Sequence, residues 1–243
     1  MTTSRKIALV TGANKGIGLE IARQLAQADV HVILGTRNPE RGTAAVQALT
    51  SEGLDVSYLP LDTTDEADIA AATAAISDKH GRLDILVNNA GIADWHDGPP
   101  STASLAAVRA ELETNFVGTL AVTQAMLPLL ENSDAARIVN LSSALGSLSV
   151  NGDPSSPFYA ARAIGYNTSK AALNMLTIQL AAELSDTAIA VNSVSPGFVK
   201  TDLTGGNGAL TPAEAASVPV KYALLGDDAV TGRFVSAQGE LPW

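Results

Sequence analysis

The chain contains no cysteine. That removes disulfides, thiolate metal sites and cysteine nucleophiles together, and it is compatible with a reducing compartment. Charge is also sparse. Only 16% of residues are Asp, Glu, Lys or Arg, against 46% apolar, so the composition is that of a well-covered core and not of a disordered chain. Cations are the scarcer sign, giving a formal net charge of −10, which argues against nucleic acid or an anionic membrane as a general partner. No apolar run reaches the roughly 20 residues that a membrane span needs. No charged-then-apolar leader is visible, because Ser4, Arg5 and Lys6 run directly into a strand-like segment. The expectation is a soluble cytoplasmic protein. Its 243 residues suffice for one α/β domain with a large core, 1–243, without an internal repeat or interdomain linker.

What is present is a regular alternation of apolar strand-like runs with helical patterns. Ile7-Ala8-Leu9-Val10 ends in Thr11-Gly12-Ala13-Asn14-Lys15-Gly16-Ile17-Gly18 and then a helical stretch. A strand, a glycine-rich turn and a helix make the unit whose backbone N–H groups cradle phosphate oxygens. The spacing Gly-x-x-x-Gly-x-Gly differs from the GxGxxG fingerprint, so context has to carry the assignment. The next strand, Val30 to Gly35, ends without an Asp or Glu. An acid there would suit the ribose hydroxyl of NAD, whereas Arg37 and Arg41, with Lys15 in the turn, suit a 2′-phosphate. Asp62, after a third strand at Val56–Leu61, either touches an adenine or caps the following turn.

Leu83–Val87 is a buried strand leading into Asn88-Asn89-Ala90-Gly91, small and amide residues at a strand's carboxyl end, where open α/β sheets bind ligands. Asp94, His96 and Asp97 crowd one loop; such a group is ordinary polar surface before it is a metal site. A long helical region is expected from about Ser104 to Leu130, divided near Thr114-Asn115. The strand Arg137–Leu141 ends in Ser142-Ser143. The segment 144–165 reads as loop with at most a short helix. Tyr166 and Lys170 then lie one turn apart on a helix running to about Leu184. An ammonium within reach of a phenol favours the phenolate, and such a tyrosine can pass a proton to or from a substrate oxygen. A strand at Ala188–Val194 leads to Ser195-Pro196-Gly197. Glycines 205, 206 and 208 suggest a lid, Thr211-Pro212-Ala213-Glu214 a capped helix start, and 232–236 a last strand.

Strands alternating with helices imply a Rossmann-type, doubly wound parallel sheet with helices on both faces. With Thr11-Gly12, Gly16-Ile17-Gly18, Asn88-Asn89-Ala90-Gly91, Ser143, Tyr166-x-x-x-Lys170 and Pro196-Gly197 in this order, the chain resembles the short-chain dehydrogenase/reductase family from Lys6 to Phe234. Gly12–Gly18 and Thr36-Arg37-Asn38 are most similar to its carbonyl-reductase-type members. The resemblance implies reversible reduction of a ketone or aldehyde with NADPH. Tyr166 would be the proton donor and Ser143 the partner of the substrate oxygen. Lys170 would bind the nicotinamide ribose and lower the Tyr166 pKa, and Asn115 would complete a proton relay. Gly12, Asn14, Lys15, Gly16, Ile17, Gly18, Arg37, Asp62, Asn88, Ala90, Gly91, Tyr166, Lys170, Pro196, Gly197, Val199 and Thr201 would line the cofactor, and no metal is implied.

The interval from Ser143 to Tyr166 is longer than is usual in the family. Tyr159 falls inside it, but the position four residues on is Ala163, so it lacks a lysine partner. Ala163 is also where relatives that reduce C=C bonds place tyrosine. Enoyl reduction is thus the rival within enzymes, and a catalytically silent NADPH-binding regulator the rival outside them. The expected partner is a small carbonyl or alcohol, with no nucleic acid and no membrane. The insertion ahead of Tyr166 points to a monomer, with a dimer as the alternative.

Overall fold

A computed structural model describes residues 5–226 and 229–243; Ser4 and parts of the expected 1–243 domain lie outside them. The described residues form one eight-stranded sheet in the order β3-β2-β1-β4-β5-β6-β7-β8. The strands are β1 (Ile7–Thr11), β2 (His31–Thr36), β3 (Val56–Pro60), β4 (Ile85–Asn88), β5 (Arg137–Leu141), β6 (Ala190–Val194), β7 (Arg233–Ser236) and β8 (Gly239–Glu240). β1 to β7 pair in parallel and β8 antiparallel to β7. Neighbours β1 and β4 mark the point where strand order reverses, the crevice at which doubly wound sheets bind ligands.

Every residue of β1, β4, β5 and β6 is buried, as expected of parallel strands covered on both faces. Alternate side chains feed two cores. On one face Val10, Val32 and Leu34 pack with Ile21 and Leu25 of α1 (Gly16–Gln27), Leu49 of α2 (Pro39–Ser51) and Ala216 and Val220, from a helix near the C-terminus. On the other, Leu9, Ile33 and Leu86 meet Ile69 and Ile76 of α3 (Glu66–His80), with Met126, Leu130 and Leu180 from later helices.

The later helices are α4 (Leu105–Leu112), α5 (Gly118–Glu131), the short α6 (Leu148–Gly152), α7 (Ile164–Glu183) and α8 (Pro212–Ala223). The expected break near Asn115 is a single π-helical stretch, Glu113–Val117, between α4 and α5; such bulges recur at functional sites. α8 starts with a reciprocal capping box between Thr211 and Glu214, as Thr-Pro-Ala-Glu predicts. Two elements were illegible in the sequence. α2 begins at Asn38-Pro39, where Asn38 Oδ1 accepts from Arg41 N–H at 2.8 Å. β8 is two residues long and depends on pairing with β7. No helix among the described residues is long and apolar enough to cross a membrane.

Candidate active site

The glycine-rich turn leaves β1 with Gly12 at φ +65° and Gly16 at φ +59°, conformations that favour glycine. It is locked to the end of β4. Thr11 Oγ1 accepts from the N–H groups of Asn89 and Ala90, both at 3.0 Å, and Asn89 Nδ2 donates to Thr11 O at 2.8 Å. A Cβ on Gly18 would collide with Asn89 Nδ2. No side chain caps the N-terminus of α1, which leaves its first-turn dipole directed into this cradle, as a phosphate requires. Thr36 Oγ1 donates to Asn14 Oδ1 at 3.3 Å, tying β2 to the same turn.

Around the cradle stand the expected cations, with one partner the sequence had not indicated. Lys15 forms a short ion pair with Asp202, and Arg41 also acts on that carboxylate. Arg37 lies at the end of β2 and helps hold the Asp62 carboxyl below its ordinary range, after the dominant N–H bond from Thr64. Asp62 is therefore bound into its own turn. The cap of α3 is Asp65, which accepts from Ala67 and Asp68. The Asn88 side chain faces inward, donating to Thr123 Oγ1 at 3.0 Å and Asn140 Oδ1 at 2.8 Å. Its amide is therefore enclosed by α5 and β5, while its main chain runs to the carboxyl end of β4. Ala90 and Gly91 follow it. A Cβ on Gly91 would lie 3.2 Å from Asn115 Oδ1 and 3.6 Å from Lys170 Nζ, so glycine lets the loop pass between them.

At the end of β6, Pro196 precedes Gly197 at φ +89°. Val199 is buried and bridges to Leu210, and Thr201 lies 3.5 Å from where a Cβ of Gly16 would be. The 198–208 loop thus returns over the glycine turn through Thr201 and Asp202. Its Gly205 meets the indole of Trp95, so this loop and the one that follows β4 come together. A cavity of about 420 Å³ adjoins Ser143 through Ala144, lined also by Val150, Asp153, Phe158, Leu241 and Pro242. Neither Ser143 nor Tyr166 lines it, so it is not the reacting pocket.

Ser143, Tyr166 and Lys170 converge where β5 and β6 meet α7. The Tyr166 pKa is pushed up to about 12, mainly by burial; the Ser143 hydroxyl, hydrogen-bonded to it, pulls it back and the Glu111 charge raises it further. Lys170 is buried, its pKa pushed down to about 8 by burial, with Nζ donating to Leu141 O at 2.7 Å and lying 5.7 Å from the Tyr166 ring centroid. Burial dominates the Tyr166 pKa, and Lys170 is not among the groups acting on it. Asn115, fully buried in the π-helical stretch, accepts from Ile92 N–H at 2.8 Å and donates to Ile92 O and Ser169 Oγ, both at 2.9 Å. Its amide is a clamp on Ile92 and Ser169 in this structure. Tyr159 is exposed, beneath the Arg162 guanidinium at 4.4 Å.

Two acids here were not expected at the site: the sequence does not single out Glu111 and presents Asp97 as loop surface. Asp97 Oδ2 accepts from Tyr166 N–H at 3.0 Å, and Glu111, fully buried on α4, accepts from Asp94 N–H at 2.9 Å. Glu111 was discoverable in principle, because Ala107, Glu111 and Asn115 recur at a four-residue spacing on one face. Asp97 acts across the tertiary fold, which no local pattern announces. His96 pairs with Asp94, and among the described residues no group of three or more His, Cys, Asp and Glu could hold a metal.

An open parallel sheet with an anion cradle at its switch point and a serine, tyrosine and lysine at the adjoining strand ends defines a dehydrogenase/reductase class of site. The chain belongs to the short-chain dehydrogenase family, whose profile matches residues 6–209. It is 36% identical to (-)-isopiperitenone reductase of Mentha piperita, over 96% of this chain and 97% of that protein. It is 33% identical to carbonyl reductase [NADPH] 1 of Mus musculus, over 100% of both. Among solved structures, the NADPH-bound carbonyl reductase from chicken fatty liver superimposes with a TM-score of 0.85 at 30% identity, covering 99% of this chain and 100% of that one.

Proposed function

We propose that this chain is an NADPH-dependent reductase of ketones and aldehydes, reversible toward alcohol oxidation, with residues 1–243 acting as one catalytic domain. The observation that carries the reading is the hydrogen-bonded pair of Ser143 and Tyr166 above a buried Lys170, beside the glycine cradle. NADPH, when bound, supplies the hydride. The residues fit that cofactor: an uncapped helix N-terminus for its diphosphate, and Lys15 of the glycine turn with Arg37 and Arg41 beyond β2 for a 2′-phosphate. The reductase names of the relatives support the same reading.

The protein's part is to orient and to move one proton. Ser143 and Tyr166 hold the carbonyl oxygen and stabilise the charge developing on it. Tyr166 gives that oxygen its proton, and a phenol kept neutral by burial is in the state the donor needs. Lys170 binds the ribose and resupplies the proton, and Asn115 holds the Gly91–Ile92 loop open beside it. A silent NADPH binder would need none of Ser143, Tyr166 and Lys170.

The test is NADPH oxidation with a panel of ketones, aldehydes and α,β-unsaturated carbonyls, with products identified. Alcohols from the saturated carbonyls are expected. Turnover of none of them sinks the proposal, and saturated ketones as sole products from the unsaturated substrates would favour C=C reduction.

A further inference from the structure

At the start of α7 two carboxyl groups meet with no cation between them. Asp97 caps the helix from outside: Oδ1 accepts from Gly98 N–H at 2.8 Å and Gly165 N–H at 3.0 Å, and Oδ2 from Tyr166 N–H at 3.0 Å. Ala163, at the N-cap position, offers no side-chain bond, so Asp97 does this from 69 positions away. Glu111 is fully buried on α4. Its Oε1 accepts from Asp94 N–H, but Oε2 finds no N–H or hydroxyl donor. Oε2 lies against the start of α7, where a Cβ on Gly165 would collide with it, and the Asp97 carboxyl, which accepts from Gly165 N–H, adjoins it close enough to act on it.

Two carboxyl groups this close disfavour a second charge, and a proton on one of them can bridge the two. Asp97, already accepting three main-chain N–H bonds, is the group that keeps the charge. Glu111, whose second oxygen has no other donor, keeps the proton. Its pKa is accordingly pushed up to about 7, first by burial, with the nearby Asp97 carboxyl adding to it and the Asp94 N–H opposing. The groups facing Glu111 are Asp94 and Asp97 from the 92–98 loop and Tyr166 from α7, and no cation is among the groups acting on it. His96 pairs with Asp94 at the surface.

We propose that Glu111 is a positioning residue: as a neutral acid it shares its proton with Asp97, seats that carboxylate on the N-terminus of α7 and so holds Tyr166 at Ser143, and on ionising it turns carbonyl reduction down. Ionised Glu111 acts in two ways. It repels the Asp97 carboxylate and loosens the cap, and its charge makes the nearby phenol a weaker acid. The inference rests on the proposed role of Tyr166 as proton donor.

The experiment titrates the full-length protein labelled with carboxyl-¹³C glutamate by NMR, alongside pH profiles of carbonyl reduction. The Glu111 resonance is the one missing from Glu111→Gln, a variant that retains a donor toward Asp97 and so keeps the fold. It is expected to titrate near pH 7 and to move to lower pH in Asp97→Asn. Reduction should fall through the same pH in the unmodified enzyme, and Glu111→Gln should lose that inflection. A Glu111 resonance in the ordinary glutamate range, or one unmoved by Asp97→Asn, overturns the shared proton. Glu111→Gln with altered thermal stability but an unchanged pH profile overturns the positioning role. If no carbonyl is reduced at all, the proposed function fails while the NMR result still decides the shared proton.

Discussion

Asn115 Nδ2 donates to Ser169 Oγ at 2.9 Å, joining the π-helical stretch to the helix that carries Tyr166 and Lys170. Ser169 Oγ in turn donates to Tyr166 O at 2.8 Å. The clamp on Ile92 and the registry of α7 therefore share one side chain. Asn115→Ala should leave the Ile92 N–H and C=O and the Ser169 hydroxyl without this partner. The expected loss is about 1–3 kcal/mol of stability, read as a lower urea midpoint, together with a fall in kcat. An unchanged kcat would show that the clamp does not set the site.

The choice of tyrosine is tested by two matched variants. Tyr166→Phe removes one hydroxyl and should keep NADPH binding while turnover falls by roughly 10²–10⁴-fold, the usual worth of a positioned general acid. Tyr159→Phe should behave like the unmodified enzyme, because Tyr159 packs with Arg162 at the surface. The comparison is carbonyl reduction at saturating NADPH, and the reverse ranking would show that the wrong tyrosine was chosen.

Cofactor preference is expected to depend on Arg37. Arg37→Ala should raise the KM for NADPH far more than that for NADH. Asp202→Asn frees Lys15 from its ion pair and should tighten NADPH binding, read as a lower Kd. Equal kinetics with the two cofactors in the unmodified enzyme would refute the preference.

Stability should depend on pH through Glu111. The native carboxyl holds its proton up to about pH 7, whereas the unfolded one releases it near 4.5. The native state therefore binds more protons between these values. This contribution is complete below pH 4.5 and declines as pH rises to about 7. Urea midpoints across that range should fall in the unmodified protein and stay flatter in Glu111→Gln. Parallel curves would remove Glu111 as the cause.

Assembly is tested by light scattering at micromolar concentration, where a monomer is expected. The 144–165 insertion lies against the start of α7: Asn167 Nδ2 donates to Asn151 Oδ1 at 3.0 Å and Ala161 O at 3.1 Å. A stable tetramer would contradict the proposal.

Much of this architecture follows from local pattern. Short continuous apolar runs bounded by glycine, such as Ile7–Val10, read as strands buried on both faces, and the helical period that follows the glycine turn marks a phosphate cradle. The four-residue spacing of Tyr166 and Lys170 needs only a helix to put them on one face, and Thr211 with Glu214 caps its helix through bonds three residues apart. These features were legible because their causes lie within a few positions of one another. The sequence also marked Asn115 as a break, though it did not reveal that the break is a π turn.

What only the tertiary structure decided are the electrostatic environments and the partners reached across the fold. The direction of the Tyr166 shift depends on how much water the folded chain excludes, which local spacing does not show. Asn88 turned inward because α5 and β5 enclose that side of β4. Lys15 found Asp202, and the N–H of Tyr166 found Asp97, through loops that meet only when the sheet has closed on both faces. A residue's chemistry is written in the sequence, but the charge it carries is set by neighbours that the sequence does not place side by side.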